Sequence, residues 1–288
     1  MAEICEENIN EAKSPESPGL VIYNRYRRLS EELALLSREI MEALPDVAAL
    51  YNPLEYADAP WREYLTRFCT GPRQIVFLGM NPGPWGMAQT GVPFGEIAAV
   101  RDWMGISAPV QQPRTPHPKR PIEGFSCTRS EVSGRRLWGL MQETYGTARE
   151  CFQNLLVLNF CPLVFMAESG RNITPDKLPA TYRTALEEAC LRALTDSLQV
   201  LKPRYLVGVG AFATARLKGI PPRPEVQNPA PEVVQILHPS PASPAANRGW
   251  AEAVSAQLLA AGVWPPQRAN PDRAEPQGDR ISVSNSGK

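Results

Sequence analysis

Histidine is almost absent from this chain, with only His117 and His238 among 288 residues. A centre built on clustered imidazoles is therefore excluded, and each histidine has to be accounted for singly. The six cysteines (Cys5, Cys69, Cys127, Cys151, Cys161 and Cys190) are scattered and form no C-x-x-C pair. Neither a zinc site nor a clustered iron-sulfur site is visible, so reduced structural thiols, no metal and no other cofactor are expected. No stretch approaches the roughly 18 to 20 apolar residues of a membrane span. The first residues, with Glu3, Glu6, Glu7 and Glu11, lack the basic and apolar regions of a signal peptide. An intracellular protein without a membrane partner is expected, cytoplasmic in a bacterium or nuclear in a eukaryote. Net charge is missing too, since 30 basic residues balance 30 acidic ones. The balance is uneven along the chain: residues 1–20 are acidic, and residues 21–264 hold 25 basic against 22 acidic side chains. A local basic face is compatible with that distribution, as is a well-mixed surface.

What the chain does have is glycine and proline gathered after one apolar run, in QIVFLGMNPGPWGMAQTGVPFG from Gln74 to Gly95. Ile75 to Leu78 is β-branched, aromatic and unbroken by polar residues, which suits a strand buried on both faces. Gly79, Gly83, Gly86, Gly91 and Gly95 with Pro82, Pro84 and Pro93 then make a loop of fixed path whose amides can approach a ligand. It is no phosphate-cradling P-loop, because no lysine followed by serine or threonine comes after its glycines, and it lacks the dinucleotide fingerprint spacing.

Residues 1–20 and 265–288 are polar and proline-bearing and read as disordered tails around one domain, residues 21–264. Ser30 is positioned to cap a helix carrying Leu33, Leu36, Ile40 and Leu44, and Asp58 and Pro60 open another with Trp61, Tyr64, Leu65 and Phe68 on one face. The segment from Pro109 to Gly124 reads as a proline-stiffened surface loop whose Arg114, His117, Lys119 and Arg120 could meet a phosphate backbone. Three more apolar runs follow, at Leu155–Leu158, Tyr205–Val209 and Val233–Leu237, each separated from the next by a helical pattern. Strands alternating with helices predict a single α/β domain with a central, mainly parallel four-stranded sheet flanked by helices on both faces. In such sheets the ligand crevice lies outside the carboxyl ends of the strands, where this chain places Asn81, Asn159 and His238. No G-x-S-x-G elbow is present, and Cys161 has no basic neighbour in sequence, so covalent catalysis is the weaker reading.

The same segments carry a resemblance. Gly79-Met80-Asn81-Pro82-Gly83-Pro84, continuing through Gly86-Met87-Ala88-Gln89-Thr90-Gly91-Val92-Pro93-Phe94-Gly95-Glu96, is similar to the first motif of the single-strand-selective monofunctional uracil-DNA glycosylases. Asn159-Phe160-Cys161-Pro162-Leu163 and His238-Pro239-Ser240-Pro241 resemble the family's other two signature segments, in the same order, and the similarity runs from about Tyr51 to Trp264.

The resemblance implies a uracil-DNA glycosylase-like fold and a base-excision repair enzyme. It would flip uracil out of single- or double-stranded DNA, hydrolyse the N-glycosidic bond and leave an abasic site. Asn81 would hold the water, and His238 would donate toward uracil O2 as charge develops. Asn159 would match the N3 and O4 edge, and Phe94 would stack on the base. The backbone from Gly83 to Met87 would border the 5-position, which admits 5-hydroxymethyluracil as a second substrate. The segment Pro239, Ser240, Pro241, Ala242, Ser243 through Arg248 would be the wedge that fills the gap left by the base. Family members can carry a basic residue soon after the second proline of this motif, where this chain has Ala242 and Ser243, so a shallower wedge is expected. No lysine appears in the motifs, hence no lyase step is expected, and one chain would suffice as a monomer. Xanthine or hypoxanthine as the excised base, and a binder without turnover, remain the alternatives.

Overall fold

The computed structural model describes residues 16–221 and 230–264, so most of both expected tails lies outside the described residues. A long helix α1 (Pro18–Ala43) precedes strand β1 (Ala49–Tyr51) and helices α2 (Pro53–Tyr56) and α3 (Asp58–Phe68). The first apolar run forms β2 (Ile75–Gly79), followed by the one-turn helix α4 (Met87–Thr90) and a π-helical turn at Ala99–Trp103. Helices α5 (Val132–Tyr145) and α6 (Ala148–Asn154) lead into β3 (Leu155–Asn159), with β4 (Val164–Met166) and β5 (Asn172–Ile173) behind it. The chain then runs through α7 (Ala180–Leu201), β6 (Tyr205–Val209), α8 (Ala211–Lys218), β7 (Glu232–Ile236), α9 (Pro244–Asn247) and α10 (Trp250–Ala260).

All four expected runs become strands of one parallel sheet, in the order β3-β2-β6-β7. Every residue of β2, β3 and β6 is buried, whichever face it points to, so helices cover both sides of the sheet. Strand β7 takes the edge, and its Glu232 and Gln235 are exposed accordingly. In chain order the sheet grows from β2 to β3 on one side and then crosses to β6 on the other, which makes a topological switch point beside β2. Loops leaving the carboxyl ends of β2 and β6 diverge there and open a crevice.

The structure departs from the sequence reading at three places. Helix α1 starts at Pro18, capped by the Ser17 hydroxyl, which accepts from the Leu20 amide. Ser30, expected as the cap, is instead a buried mid-helix residue whose hydroxyl accepts from Asn52 Nδ2 at 2.6 Å. Proline fits the first turn, and Ile22, Tyr23, Tyr26 and Leu29 extend the buried stripe upstream of Leu33. A second, antiparallel sheet, β1-β4-β5, was not foreseen, because strands of two or three residues are too short to show alternation. His117 is no surface cation either: it is 3% exposed, and its Nε2 lies 3.0 Å from the Ala167 carbonyl.

The loop after β2 is held from behind by the start of α5. Glu131 lays its carboxylate against Gly83 and Gly86, and a side chain at either glycine would overlap it. Its Oε2 is enclosed and has no hydrogen-bond partner. Burial, reinforced by the nearby Glu96 charge, pushes the Glu131 carboxyl up to about 7. Glu96 itself accepts from the Ala99 amide at 3.0 Å and from the Ser130 hydroxyl at 2.9 Å.

Because the folded value of Glu131 lies above the ordinary one, its contribution is complete below the unfolded pKa and is lost as pH rises through the folded pKa. Wild-type protein should therefore lose about 1–3 kcal/mol between roughly pH 4.5 and pH 8 that the Glu131→Gln variant retains. Chemical denaturation across that range measures it; parallel pH profiles for the two proteins would show that Glu131 ionises freely.

Candidate active site

A cleft of about 630 Å³ opens at the carboxyl edge of the sheet, beside the switch point. Asn81, Gly83 and Phe94 line it from the β2 loop, Asn159 from the end of β3, and His238, Ser240 and Pro241 from the loop after β7. Residues far apart in the chain thus converge on one space. Met87 does not line the cleft but packs behind it, and Pro239 is buried, while Ala242, Ser243 and Arg248 stay outside its wall.

Parallel pairing sets the first two groups. The β2–β3 ladder ends with Gly79 opposite Asn159. It then continues through the Phe160 and Cys161 amides, which donate to the Gly79 and Met80 carbonyls at 2.9 Å. Gly79 must be glycine, because a Cβ there would overlap both Asn159 Oδ1 and the Phe94 ring. Asn159 is 4% exposed. Its Nδ2 contacts Met87 Sδ at 3.2 Å, while its Oδ1 is buried with no partner. An unpaired buried amide oxygen costs about 1–3 kcal/mol, so a ligand donor at this point would recover that loss. Phe94 lies beside it in a left-handed backbone conformation, φ 52°, and its carbonyl accepts from Trp138 Nε1 at 3.0 Å. That conformation is unfavourable for an aromatic residue, and the Trp138 bond helps to hold it.

Asn81 donates from Nδ2 to the Leu163 carbonyl at 3.2 Å. This fixes the amide and leaves Oδ1 as an acceptor on the cleft. His238 is oriented by its own loop: the Ser240 amide donates to Nδ1 at 3.1 Å. A ring nitrogen that accepts carries no proton, so the proton sits on Nε2. Burial lowers the His238 pKa, which keeps the ring neutral at neutral pH. Gly210, φ 86°, gives the imidazole its room, since a Cβ there would lie 3.1 Å from His238 Cβ.

Three contributors were not read from the sequence. Asn172 on β5 adds another unpartnered Oδ1 to the cleft wall. Glu131 lines the cleft from the start of α5. Arg136 on α5 donates to the Pro239 carbonyl at 3.0 Å, the Ser240 carbonyl at 3.3 Å and Asn247 Oδ1 at 2.8 Å, bracing the loop that carries His238. None of the three lies in a strand-end motif. The one available signal was the position of Glu131 and Arg136 in the polar stretch that leads into the helical pattern preceding Leu155–Leu158.

A model of the uracil DNA glycosylase superfamily matches residues 67–259. Single-strand-selective monofunctional uracil-DNA glycosylases of Rattus norvegicus and Mus musculus are 47% and 46% identical over 242 residues, covering 82% of this chain and 84% of each relative. The Bos taurus protein of the same name is 49% identical over 234 residues, covering 81% of this chain and 82% of its own length. The crystal structure of wild-type SMUG2 from Pedobacter heparinus superposes with a TM-score of 0.56 at 15% identity, covering 82% of this chain and 97% of that one, and so shares the fold. The chain belongs to the single-strand-selective monofunctional uracil-DNA glycosylase family, within the uracil DNA glycosylase superfamily, and has the DNA glycosylase activity of that superfamily.

Proposed function

We propose that this enzyme takes a flipped uracil into the cleft and hydrolyses its N-glycosidic bond without cutting the strand. The observation that carries this reading is the buried, unpartnered Asn159 Oδ1 beside an Nδ2 group on the same amide. Uracil offers a donor at N3 and an acceptor at O4, the complement of that amide, with one Nδ2 hydrogen still available beyond Met87. Cytosine offers the reverse pattern and would leave both partners mispaired in a dry site. Phe94 stacks on the base.

Departure of the base leaves positive charge on the sugar and negative charge on uracil. Asn81 Oδ1 accepts a hydrogen bond from the attacking water and orients it toward C1′. An amide is too weak a base to take the proton, so its role is placement, and the proton that the water loses on adding to C1′ goes to solvent or to the departed uracil anion. His238, neutral and protonated on Nε2, donates to uracil O2 as the anion forms, and no proton has to leave the imidazole. Of the segment from Gly83 to Met87, Gly83, Pro84 and Trp85 line the cleft and in this reading border the 5-position, which admits 5-hydroxymethyluracil as a second substrate. The protein acts on DNA as a monomer in this reading.

The loop from Pro239 to Arg248 is the wedge. Its tip carries the exposed Pro241 and Ala242, short side chains that enter a stack shallowly. The loop is stiff, since Asn247 Nδ2 donates to the Pro241 carbonyl at 2.9 Å and the Ser243 hydroxyl caps the Ala246 amide.

Single-turnover assays on a uracil-containing single strand, with and without alkali, test the reading. Strand breakage is expected only after alkali, and breakage without it would overturn the hydrolytic scheme. His238→Ala should lower the excision rate by about 10²–10³-fold while DNA binding persists. Asn159→Ala should reduce discrimination between uracil and cytosine by about 1–3 kcal/mol.

For the wedge, Ala242→Arg should tighten binding to double-stranded abasic product more than to single-stranded product. Equal effects on the two would remove the wedge role from this position.

A further inference from the structure

Trp85 also lines the cleft, and it carries an arrangement that base excision does not require. The Arg120 and Arg129 guanidinium carbons each lie 4.8 Å from its ring centroid. The three residues come from separate segments: the loop after β2, the proline-rich loop, and the stretch before α5. Arg120 is anchored, donating from Nε to the Gly170 carbonyl at 2.8 Å and from Nη1 to the Lys119 carbonyl at 3.2 Å. Arg129 and Lys119 are exposed.

The basic surface divides into side chains paired with a carboxylate and side chains that are not, and this cluster belongs to the second group. Arg25, Arg27, Arg67, Arg101, Arg114, Arg192 and Arg216 each pair with a carboxylate. Among the described residues no carboxylate lies within ion-pair distance of Lys119, Arg120 or Arg129. Two guanidiniums on one indole repel each other, and the ring offsets only part of that repulsion. Arg120 spends Nε and Nη1 on the Gly170 and Lys119 carbonyls, which leaves its Nη2 group, together with the exposed Arg129 guanidinium, to donate to an anion.

We propose that Trp85, Arg120 and Arg129 form a phosphate clamp for the DNA strand next to the nucleotide held in the cleft. The inference rests on the DNA-glycosylase reading for its ligand but not on which base is excised. A phosphodiester supplies the missing negative charge, and the continuity of Trp85 with the cleft wall places that phosphate beside the flipped nucleotide. The clamp also sorts the basic residues of the proline-rich loop, because Arg114 is already engaged with Glu55 at 3.9 Å and His117 is buried.

The test is binding of a uracil-free single-stranded oligonucleotide, measured by fluorescence anisotropy across a salt series. Wild type, Arg129→Ala, Trp85→Ala and Arg114→Ala are compared. Arg129 is exposed, so its truncation leaves the fold intact, and circular dichroism verifies this for each variant. Arg129→Ala should flatten the slope of log K against log salt by about 0.7, the loss of one phosphate contact on a single strand. Trp85→Ala should weaken binding by releasing both arginines, and Arg114→Ala should leave the slope unchanged. An unchanged slope in Arg129→Ala would overturn the clamp, and so would an equal change in Arg114→Ala, which would signal a diffuse charge effect. Since the probe contains no uracil, a wild-type protein that fails to excise uracil yet shows the Arg129-dependent slope would sink the uracil reading and leave the clamp standing.

Discussion

The site depends on one close approach, the contact between the end of β2 and the Asn159 side chain across a parallel strand pair. Gly79 lies opposite Asn159 in the ladder, and the absence of a Cβ lets the amide and the Phe94 ring occupy the same corner. Because the ladder runs on to Cys161 and the Asn81 amide is tied to Leu163, the Asn81 and Asn159 side chains are fixed relative to each other by hydrogen bonds to the backbone. Groups held this way need little reorganisation when charge develops, which is where preorganised dipoles act most strongly.

Such a corner works against stability. Asn159 Oδ1, Asn172 Oδ1 and Glu131 Oε2 are buried without partners around one cleft, whereas nearly all buried polar atoms in folded proteins are paired. Phe94 adds backbone strain. The surroundings offset this with a large aromatic core: Trp61, Tyr64, Phe68, Phe152 and Trp138 pack in successive ring contacts at centroid distances of 4.4–6.2 Å. Rigid packing close to the cleft is what allows unsatisfied groups to persist at fixed positions.

The His238 loop illustrates how a short segment sets chemistry and reach together. A backbone amide inside the loop selects the imidazole tautomer, while Arg136 from α5 holds two of the loop's carbonyls. A basic residue therefore does serve this loop, from a different element and from beneath, and its charge stiffens the backbone instead of extending the tip. The two sides of the site differ in consequence. The His238 side is braced and short, and the Trp85 side presents two guanidinium groups that, among the described residues, have no carboxylate within ion-pair distance.

The sheet strands and the three strand-end residues Asn81, Asn159 and His238 were legible in the sequence because their signals are local. A buried parallel strand is an uninterrupted apolar run, and a polar residue ending it must face the carboxyl edge. The family motifs were legible for the same reason, being contiguous. The sequence was silent or misleading where the cause is a contact between distant segments. Ser30 reads as a cap until Asn52 is seen to bury it, and His117 reads as a surface cation until it is found bonded to Ala167. Glu131 is an ordinary acidic residue in sequence, and only its position against Gly83 and Gly86 withdraws it from solvent and raises its pKa. Residue types and local pattern determined which groups reach the rim. The tertiary packing alone decided their protonation, their pairing and their unpaired state, because desolvation and neighbouring charge belong to the folded environment and not to the residue.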